Sequence, residues 1–168
     1  MLMHQIDRRS VLVRFSATAA GLFLFGLGSA ASARSETFEV SLSEAEWRKR
    51  LDPAAFNVLR QQGTERAFTS PLNNEHRSGT FLCRGCDLPL FSSRTKFDSG
   101  TGWPSFWRPL PNAIRTDSDT MLGYVRTEVH CRRCGGHLGH VFNDGPPPTG
   151  LRYCMNGVAM RFIPGKSA

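Results

Sequence analysis

Five cysteines are the residues of this chain that could most readily do chemistry, and their spacing divides them into four and one. Cys83 and Cys86 form one Cys-x-x-Cys pair, and Cys131 and Cys134 form a second. A tight turn with this spacing aims two thiolates at one point, so two such turns predict a tetrahedral four-sulfur site that suits Zn²⁺. Four thiolates leave no coordination position open, and the predicted zinc is therefore structural.

Other chemistries remain open for the same four thiols. In an oxidising compartment each pair could close into a local disulfide, and such a disulfide could be redox-active. Iron is a further alternative in a four-sulfur site. Two pairs far apart in the chain match a zinc ribbon better than a redox dithiol, so the sequence favours zinc.

Cys154 is left over once the four metal ligands are assigned. A lone cysteine is most often a small buried hydrophobe, but the neighbours of this one carry charge and hydrogen-bonding groups. Arg152 supplies a positive charge that favours the thiolate, and Asn156 supplies an amide donor. His137 and His140 could move protons, although either could equally be a core histidine bonded to a carbonyl. Together these neighbours favour a reactive thiol.

A Gly-Trp-Pro turn in the segment KFDSGTGWPSFW supplies a candidate pocket wall. Trp103 lies between glycine and proline and is therefore expected at the surface or in a pocket rather than in a strand. Phe106 and Trp107 are expected to pack in the core. An aromatic wall at Trp103 suits an apolar methyl or sulfur group.

The elements that must position these residues are mainly β strands after two helices. SLSEAEWRKRL opens with a capping box between Ser43 and Glu46, and DPAAFNVLRQQG has Asp52 as its N-cap and Gly63 at its end. After residue 63, short apolar runs alternate with turn residues, and YVRTEVH alternates apolar and polar side chains as a half-buried strand does. The sequence predicts an N-terminal helical hairpin followed by one antiparallel β domain.

The first 33 residues are predicted to be a signal peptide. Arg8 and Arg9 precede an uncharged stretch over 15–33 that is rich in Ala, Gly and Ser and ends in ASA. This pattern is typical of a twin-arginine signal and predicts an exported, periplasmic protein whose mature domain covers 34–168. The alternative is an uncleaved segment that anchors the chain in a membrane. Cleavage would leave no permanent membrane span.

The net charge of +7 comes from 21 basic and 14 acidic residues. The basic residues are scattered along the chain, so this charge does not indicate a nucleic-acid surface. We expect no nucleic-acid partner and a monomer.

Three blocks resemble the peptide-methionine (R)-S-oxide reductases, the B-type methionine sulfoxide reductases: GTERAFTSPL, FLCRGCDLPLFSSRTKFDSGTGWPSFW and HCRRCGGHLGHVFNDGPPPTGLRYCMN. The resemblance implies two antiparallel sheets, a structural zinc on the two Cys-x-x-Cys pairs, and Cys154 as the nucleophile that becomes a sulfenic acid. It implies oxidised proteins as substrates, and a thioredoxin-like protein or another thiol as the reductant.

The resemblance also implies roles for the other site residues. Trp103 would hold the S-methyl group of the substrate, and Arg152 would help to keep the thiol ionised. Asp144 would support a histidine or the arginine. Three further side chains would position and protonate the sulfoxide oxygen: His137, His140 and Asn156.

Two residues depart from the family pattern. Thr101 stands where many members carry a second, resolving cysteine, so we expect a one-cysteine cycle in which an external thiol attacks the Cys154 sulfenic acid. Gly157 stands where the family usually has serine, which removes a hydroxyl near the nucleophile. Two other functions are compatible with the residues: a zinc-ribbon binding module with a structural Cys154, and a thiol peroxidase that uses this cysteine.

Overall fold

The structure, a computed structural model, describes residues 37–166. Helix α1 (Glu44–Arg50) and helix α2 (Pro53–Gln61) precede nine strands. In chain order these are β1 (Gly79–Cys83), β2 (Pro89–Ser92), β3 (Lys96–Phe97), β4 (Ser105–Phe106), β5 (Ile114–Asp119), β6 (Arg126–Cys131), β7 (His137–Phe142), β8 (Arg152–Met155) and β9 (Met160–Pro164). The predicted signal segment 1–33 lies outside the described residues.

Within the described part of the chain, every strand pair is antiparallel, and the strands form two sheets. The small sheet has the order β2-β1-β9, and the large sheet has the order β3-β4-β8-β7-β6-β5. The predicted fold class, mainly β with two antiparallel sheets and an N-terminal helical hairpin, is confirmed. None of the helices that the structure describes has the length and apolar character of a membrane span.

Both helices begin where the sequence predicted. The Ser43 hydroxyl accepts from the Glu46 N–H at 3.3 Å, and the Glu46 carboxylate accepts from the Ser43 N–H at 2.8 Å. Asp52 caps α2 with its carboxylate. The end of α2 differs from the expectation, because Gln62 and not Gly63 adopts the left-handed conformation, with φ 54°.

An aromatic cluster joins the two sheets. Phe81 and Phe91 come from the small sheet and Phe106 from the large one, and all three are fully buried. The rings of Phe91 and Phe106 stack with centroids 4.3 Å apart, and Phe81 meets Phe106 at 4.9 Å. Each buried phenylalanine contributes about 1.5–3 kcal/mol of transfer free energy. The core position expected for Phe106 is confirmed, whereas Trp107 is only partly buried.

The helical hairpin covers the region of the two Cys-x-x-Cys turns. The Trp47 ring of α1 is 2% exposed and lies against Gly85, where a Cβ atom would be 3.5 Å from the ring. The Arg60 guanidinium of α2 donates to the carbonyl of Cys134 at 2.9 Å. The helices therefore help to hold both turns in place, a role that the sequence did not indicate.

Candidate active site and metal cluster

The four cysteines of the two pairs converge on one point. Their sulfur atoms all lie within 4.8 Å of one another, with 3.7 Å between Cys83 and Cys134 and 3.5 Å between Cys86 and Cys131. Four zinc–sulfur bonds of about 2.3 Å in tetrahedral geometry separate the sulfurs by about 3.8 Å. A disulfide needs about 2.05 Å, so the cysteines are free thiols here and the local disulfides are not formed. This donor set fits a structural zinc.

The two turns close in the same way. The Asp87 N–H donates to the Cys83 carbonyl, and the Gly135 N–H donates to the Cys131 carbonyl, both at 2.8 Å. Gly135 has φ +66°, a conformation that glycine adopts without strain. The first turn follows β1 of the small sheet, and the second joins β6 to β7 of the large sheet. A metal ion held by all four sulfurs would therefore tie the two sheets together.

Cys154 lies apart from this cluster, on β8 in the large sheet. Its register partners are Ser105 on β4 and His140 on β7. Directly paired residues of antiparallel strands share a face, so these three side chains form a row across the sheet. Cys154 is partly exposed and lines a cavity of about 120 Å³. Four of the predicted site residues line this cavity: Trp103, His140, Cys154 and Asn156.

A β-bulge explains how two histidines three residues apart reach the same side of one strand. Residues three apart in a regular strand point to opposite faces. The register between β6 and β7 shifts between Val129 and His130, which gives β7 an extra residue there. The rings of His137 and His140 consequently meet edge-on, with centroids 5.3 Å apart. His137 does not line the cavity, and within residues 37–166 its buried Nε2 has no hydrogen-bond partner.

Each histidine is oriented by a carboxylate that the sequence analysis missed. Nδ1 of His137 lies 2.7 Å from the Glu128 carboxylate, and Nε2 of His140 lies 2.7 Å from that of Asp119. The same Asp119 oxygen accepts from Arg126 at 2.6 Å. Burial lowers the pKa of His140, and the hydrogen bond with Asp119 opposes this effect. His140 therefore sits in a fixed orientation with a carboxylate behind it.

Arg152 lies on the same face of β8 as Cys154, two residues earlier. Its guanidinium donates two hydrogen bonds of 2.8 Å to the Asp144 carboxylate and stacks 4.4 Å from the centroid of Phe142. The hydrogen bonding to Asp144, and then the charge of the Cys154 sulfur, raise the pKa of Arg152 against the effect of burial. Asp144 thus supports the arginine and not a histidine. Arg152 does not line the cavity itself.

Glu65 connects the two walls of the cavity and was also missed. The Trp103 Nε1–H donates to its carbonyl at 3.1 Å, and its own N–H donates to Oδ1 of Asn156 at 2.9 Å. Its carboxylate accepts from the backbone N–H groups of Gly157 and Val158. Burial raises the pKa of Glu65, and the two backbone hydrogen bonds oppose this rise. One residue therefore positions Trp103 and Asn156 together.

The signals that could have identified the missed residues differ. Alternation in YVRTEVH places Arg126 and Glu128 on one face of a strand, so their position beside a functional row was open to inference. Asp119 gives no such signal, because its contact with His140 depends on the register of the hairpin formed by β5 and β6. Glu65 is 91 residues from its partner Asn156, and no local pattern relates two such positions.

Thr101 and Gly157, the two residues expected to depart from the family pattern, both lie at this site. The Thr101 hydroxyl is 3.7 Å from the Cys154 sulfur and 2.8 Å from the Ser99 hydroxyl. A Cβ atom on Gly157 would overlap the hydroxyl of Ser70. The Ser70 side chain therefore fills the space that a larger residue at 157 would need.

Two sheets that meet at a cluster of four cysteines able to hold a metal ion, with a fifth cysteine open to a small cavity, define a class of β proteins with a separate thiol site. Similarity to known proteins identifies the family of the chain. Residues 51–164 match the SelR domain. The peptide methionine sulfoxide reductase MsrB of Agrobacterium fabrum is 54% identical over 127 residues, which cover 75% of this chain and 94% of that protein.

Two further relatives carry names of the same kind. The MsrB of Pseudomonas putida strain W619 is 56% identical over 124 residues, covering 73% of this chain and 93% of the relative. The chloroplastic peptide methionine sulfoxide reductase B1 of Arabidopsis thaliana is 53% identical over 122 residues, covering 72% of this chain and 60% of the relative. The chain belongs to the MsrB family, as the resemblance predicted.

Proposed function

We propose that this chain reduces methionine (R)-sulfoxide in proteins to methionine, with Cys154 as the nucleophile. The observation that carries the proposal is the placement of this one cysteine outside the cluster. It is partly exposed at a cavity of about 120 Å³, which is the order of size of one side chain. Trp103 and Phe142 give the cavity apolar surface, and His140 and Arg126 give it polar groups.

In the first step of the reaction, the thiolate of Cys154 attacks the sulfur of the sulfoxide. Trp103, fixed by its hydrogen bond to the Glu65 carbonyl, offers an apolar face to the S-methyl group. His140, one strand away, supplies the proton that the sulfoxide oxygen needs. The sulfur–oxygen bond of the substrate breaks and the oxygen passes to Cys154, so methionine leaves and a sulfenic acid remains. The substrate sulfur gains the two electrons that the cysteine sulfur loses.

The other predicted residues support this step from around the cavity. The charge of Arg152, two residues before Cys154, stabilises the thiolate. His137 packs edge-on against His140 and holds it in position. The amide of Asn156 donates to the Leu138 carbonyl at 3.1 Å and lines the cavity, where it helps to fix the sulfoxide oxygen.

Recycling of the sulfenic acid requires an external thiol. The other four sulfurs lie together in the buried cluster, and the Thr101 hydroxyl lies 3.7 Å from the Cys154 sulfur. An incoming thiol forms a disulfide with Cys154 and releases water, and a second thiol then restores the free cysteine. A thioredoxin-like protein or another thiol reductant is the proposed partner. Zinc is the proposed metal of the cluster.

Separate R and S epimers of N-acetyl-methionine sulfoxide, with dithiothreitol as reductant, test the activity. We expect the wild-type chain to consume the R epimer and Cys154→Ser to lose turnover while it keeps its metal and its unfolding temperature. Consumption of the S epimer alone, or of neither, contradicts the proposal. Full activity in Cys154→Ser would exclude this cysteine as the nucleophile. Turnover of neither epimer would favour the zinc-ribbon binding module, and turnover of peroxide alone would favour the thiol peroxidase.

Mass spectrometry after one turnover without reductant tests the one-cysteine cycle. We expect one added oxygen on Cys154, which a sulfenic-acid probe captures. A disulfide between Cys154 and any of the other four cysteines, formed with the metal retained, would refute this cycle.

Export to the periplasm is proposed from residues 1–33 alone. The SelR match begins at residue 51, so this segment lies outside the matched domain. N-terminal sequencing of the protein from a periplasmic fraction tests the proposal. A chain that begins at or near residue 34 supports it, and a full-length chain in the membrane fraction supports the uncleaved anchor instead.

A further inference from the structure

Exposed apolar side chains are concentrated on one hairpin. Among the described residues, six large hydrophobic side chains are classed as exposed. Four of them belong to the turn that joins β5 to β6, residues 120–125, which we call the hairpin tip: Met121 at 65%, Leu122 at 59%, Tyr124 at 58% and Val125 at 73% exposed. Scattered exposed apolar residues are ordinary on a protein surface, but four within six positions form a patch.

The hairpin tip is held in a defined shape. The Gly123 N–H donates to the Thr120 carbonyl at 3.0 Å, and Gly123 has φ +80°. The Met121 N–H donates to one carboxylate oxygen of Asp119 at 2.8 Å. The other oxygen of the same carboxylate contacts His140 at 2.7 Å. The Asp119 carboxylate therefore links the patch to His140, which lines the Cys154 cavity.

The hairpin tip is also continuous with the mouth of that cavity. Arg126 follows the tip immediately and lines the cavity. Since about 120 Å³ accommodates little more than one side chain, a substrate polypeptide must lie outside it on both sides of the methionine sulfoxide. Asp119 and Arg126 neutralise each other at the base of the tip, with 2.6 Å between them. The hairpin tip beside the mouth is therefore apolar, and the two charged side chains at its base balance each other.

A fifth exposed apolar side chain lies on another segment beside the site. Phe68 is 74% exposed, and its N–H donates to the carbonyl of Gly102, next to Trp103, at 2.8 Å. The sixth, Ile163, lies on β9 in the small sheet. Five of the six exposed side chains are thus close to residues that line the cavity.

We infer that the hairpin tip is a docking surface for the apolar residues that flank a methionine sulfoxide in a substrate polypeptide. This inference rests on the proposed function and specifies its substrate class. Methionine is mostly buried in folded proteins and has apolar neighbours there, so a polypeptide that has lost its packing presents an oxidised methionine together with such neighbours. The apolar flank packs on the tip while the sulfoxide enters the cavity.

Three substrates and one double variant test the docking surface. The substrates are N-acetyl-methionine (R)-sulfoxide, a short peptide with leucine and valine on both sides of the sulfoxide, and a matched peptide with serine and glutamate there. In Leu122→Ser/Val125→Ser we expect the KM for the apolar peptide to rise about tenfold, which corresponds to about 1.4 kcal/mol, with kcat unchanged. The KM for the serine–glutamate peptide should change little. Ile163→Ser is the matched control and should alter none of these values.

The outcomes separate this inference from the proposed function. If the double variant keeps the wild-type KM for the apolar peptide, or if its KM rises equally for all three substrates, the inference is wrong while the reductase activity stands. If the wild-type chain reduces none of the three, the proposed function itself fails. Sedimentation of the wild type and the double variant gives a further check, since a dimer that only the wild type forms would make the tip a self-association surface and overturn the inference.

Discussion

Replacing Glu65 by alanine should weaken both the fold and the active site. Its half-buried carboxylate accepts backbone hydrogen bonds from Gly157 and Val158, directly after Asn156. A hydrogen bond to a charged group contributes about 1.5–3 kcal/mol, so two such bonds would contribute about 3–6 kcal/mol. This carboxylate is partly accessible to solvent, which lowers that value, and we expect a total loss of about 2 kcal/mol of unfolding free energy. Urea denaturation of the variant and the wild type measures this loss.

Glu65→Ala should also impair catalysis under native conditions, where the variant remains folded. The Glu65 backbone binds both Trp103 and Asn156, so a loosened segment displaces the two walls of the cavity together. Small misplacements of positioning groups cost about 10²-fold in rate, and we expect kcat/KM for the R epimer to fall by about 10- to 100-fold. The emission of Trp103 should also shift as the backbone carbonyl that its indole contacts is displaced.

Glu65→Gln is the matched control, because its amide oxygen can still accept one of the two hydrogen bonds. It should retain most of the activity. Burial raises the pKa of Glu65 above 4.5, so the folded chain holds this proton more strongly than the unfolded chain. This contribution to stability is complete at low pH and is lost as the pH rises through the raised pKa. The unfolding free energy of the wild type relative to that of Glu65→Gln should therefore decline as the pH rises through the raised pKa of Glu65. Wild-type kcat/KM in Glu65→Ala, with unchanged tryptophan emission, would refute the positioning role.

Three further predictions concern the family departures and the metal. Thr101→Cys should form a disulfide with Cys154 after one turnover, because the hydroxyl it replaces is 3.7 Å from that sulfur. Mass spectrometry of the variant beside the wild type detects the loss of two hydrogens, and a persistent sulfenic acid in the variant would contradict this prediction. Gly157→Ser should lower the unfolding free energy by about 1–3 kcal/mol because the new side chain overlaps Ser70. Adding Ser70→Gly to this variant should recover part of that loss in urea denaturation. If the effects of the two substitutions on the unfolding free energy simply add, the overlap is not the cause. Removing the metal with a strong chelator should lower the unfolding temperature and abolish activity together, whereas a metal-free chain of wild-type stability would show that the cluster is not structural.

Local signals predicted the starts of the helices and the convergence of the four cysteines well. A capping box and an aspartate N-cap act within a few residues, so the starts of both helices could be inferred from the sequence. The two Cys-x-x-Cys pairs carry their own turn geometry, and four sulfurs of one type have few chemical alternatives. The sequence could not show that α1 and α2 pack over these turns.

The second layer of the site could not be predicted, because it depends on strand register. The sequence marked His137 and His140 as a pair, yet only the bulge between them on β7 brings the two rings to one side. Their partners Glu128 and Asp119 lie on two other strands. A carboxylate becomes a partner only when pairing between strands places it opposite a histidine, and a single sequence contains no direct record of that pairing.

The difference in burial between the two kinds of cysteine has a consequence for survival under oxidative stress. The four cluster cysteines are at most 7% exposed, whereas Cys154 is open to solvent. Oxidants attack accessible thiolates first, so the sulfur they reach is the one whose sulfenic acid is already an intermediate of the proposed cycle. Thiols that reduce the oxidised Cys154 restore its free thiol, while burial protects the four cluster sulfurs from the same oxidants. The protein is thereby built to endure the conditions that generate its own substrate.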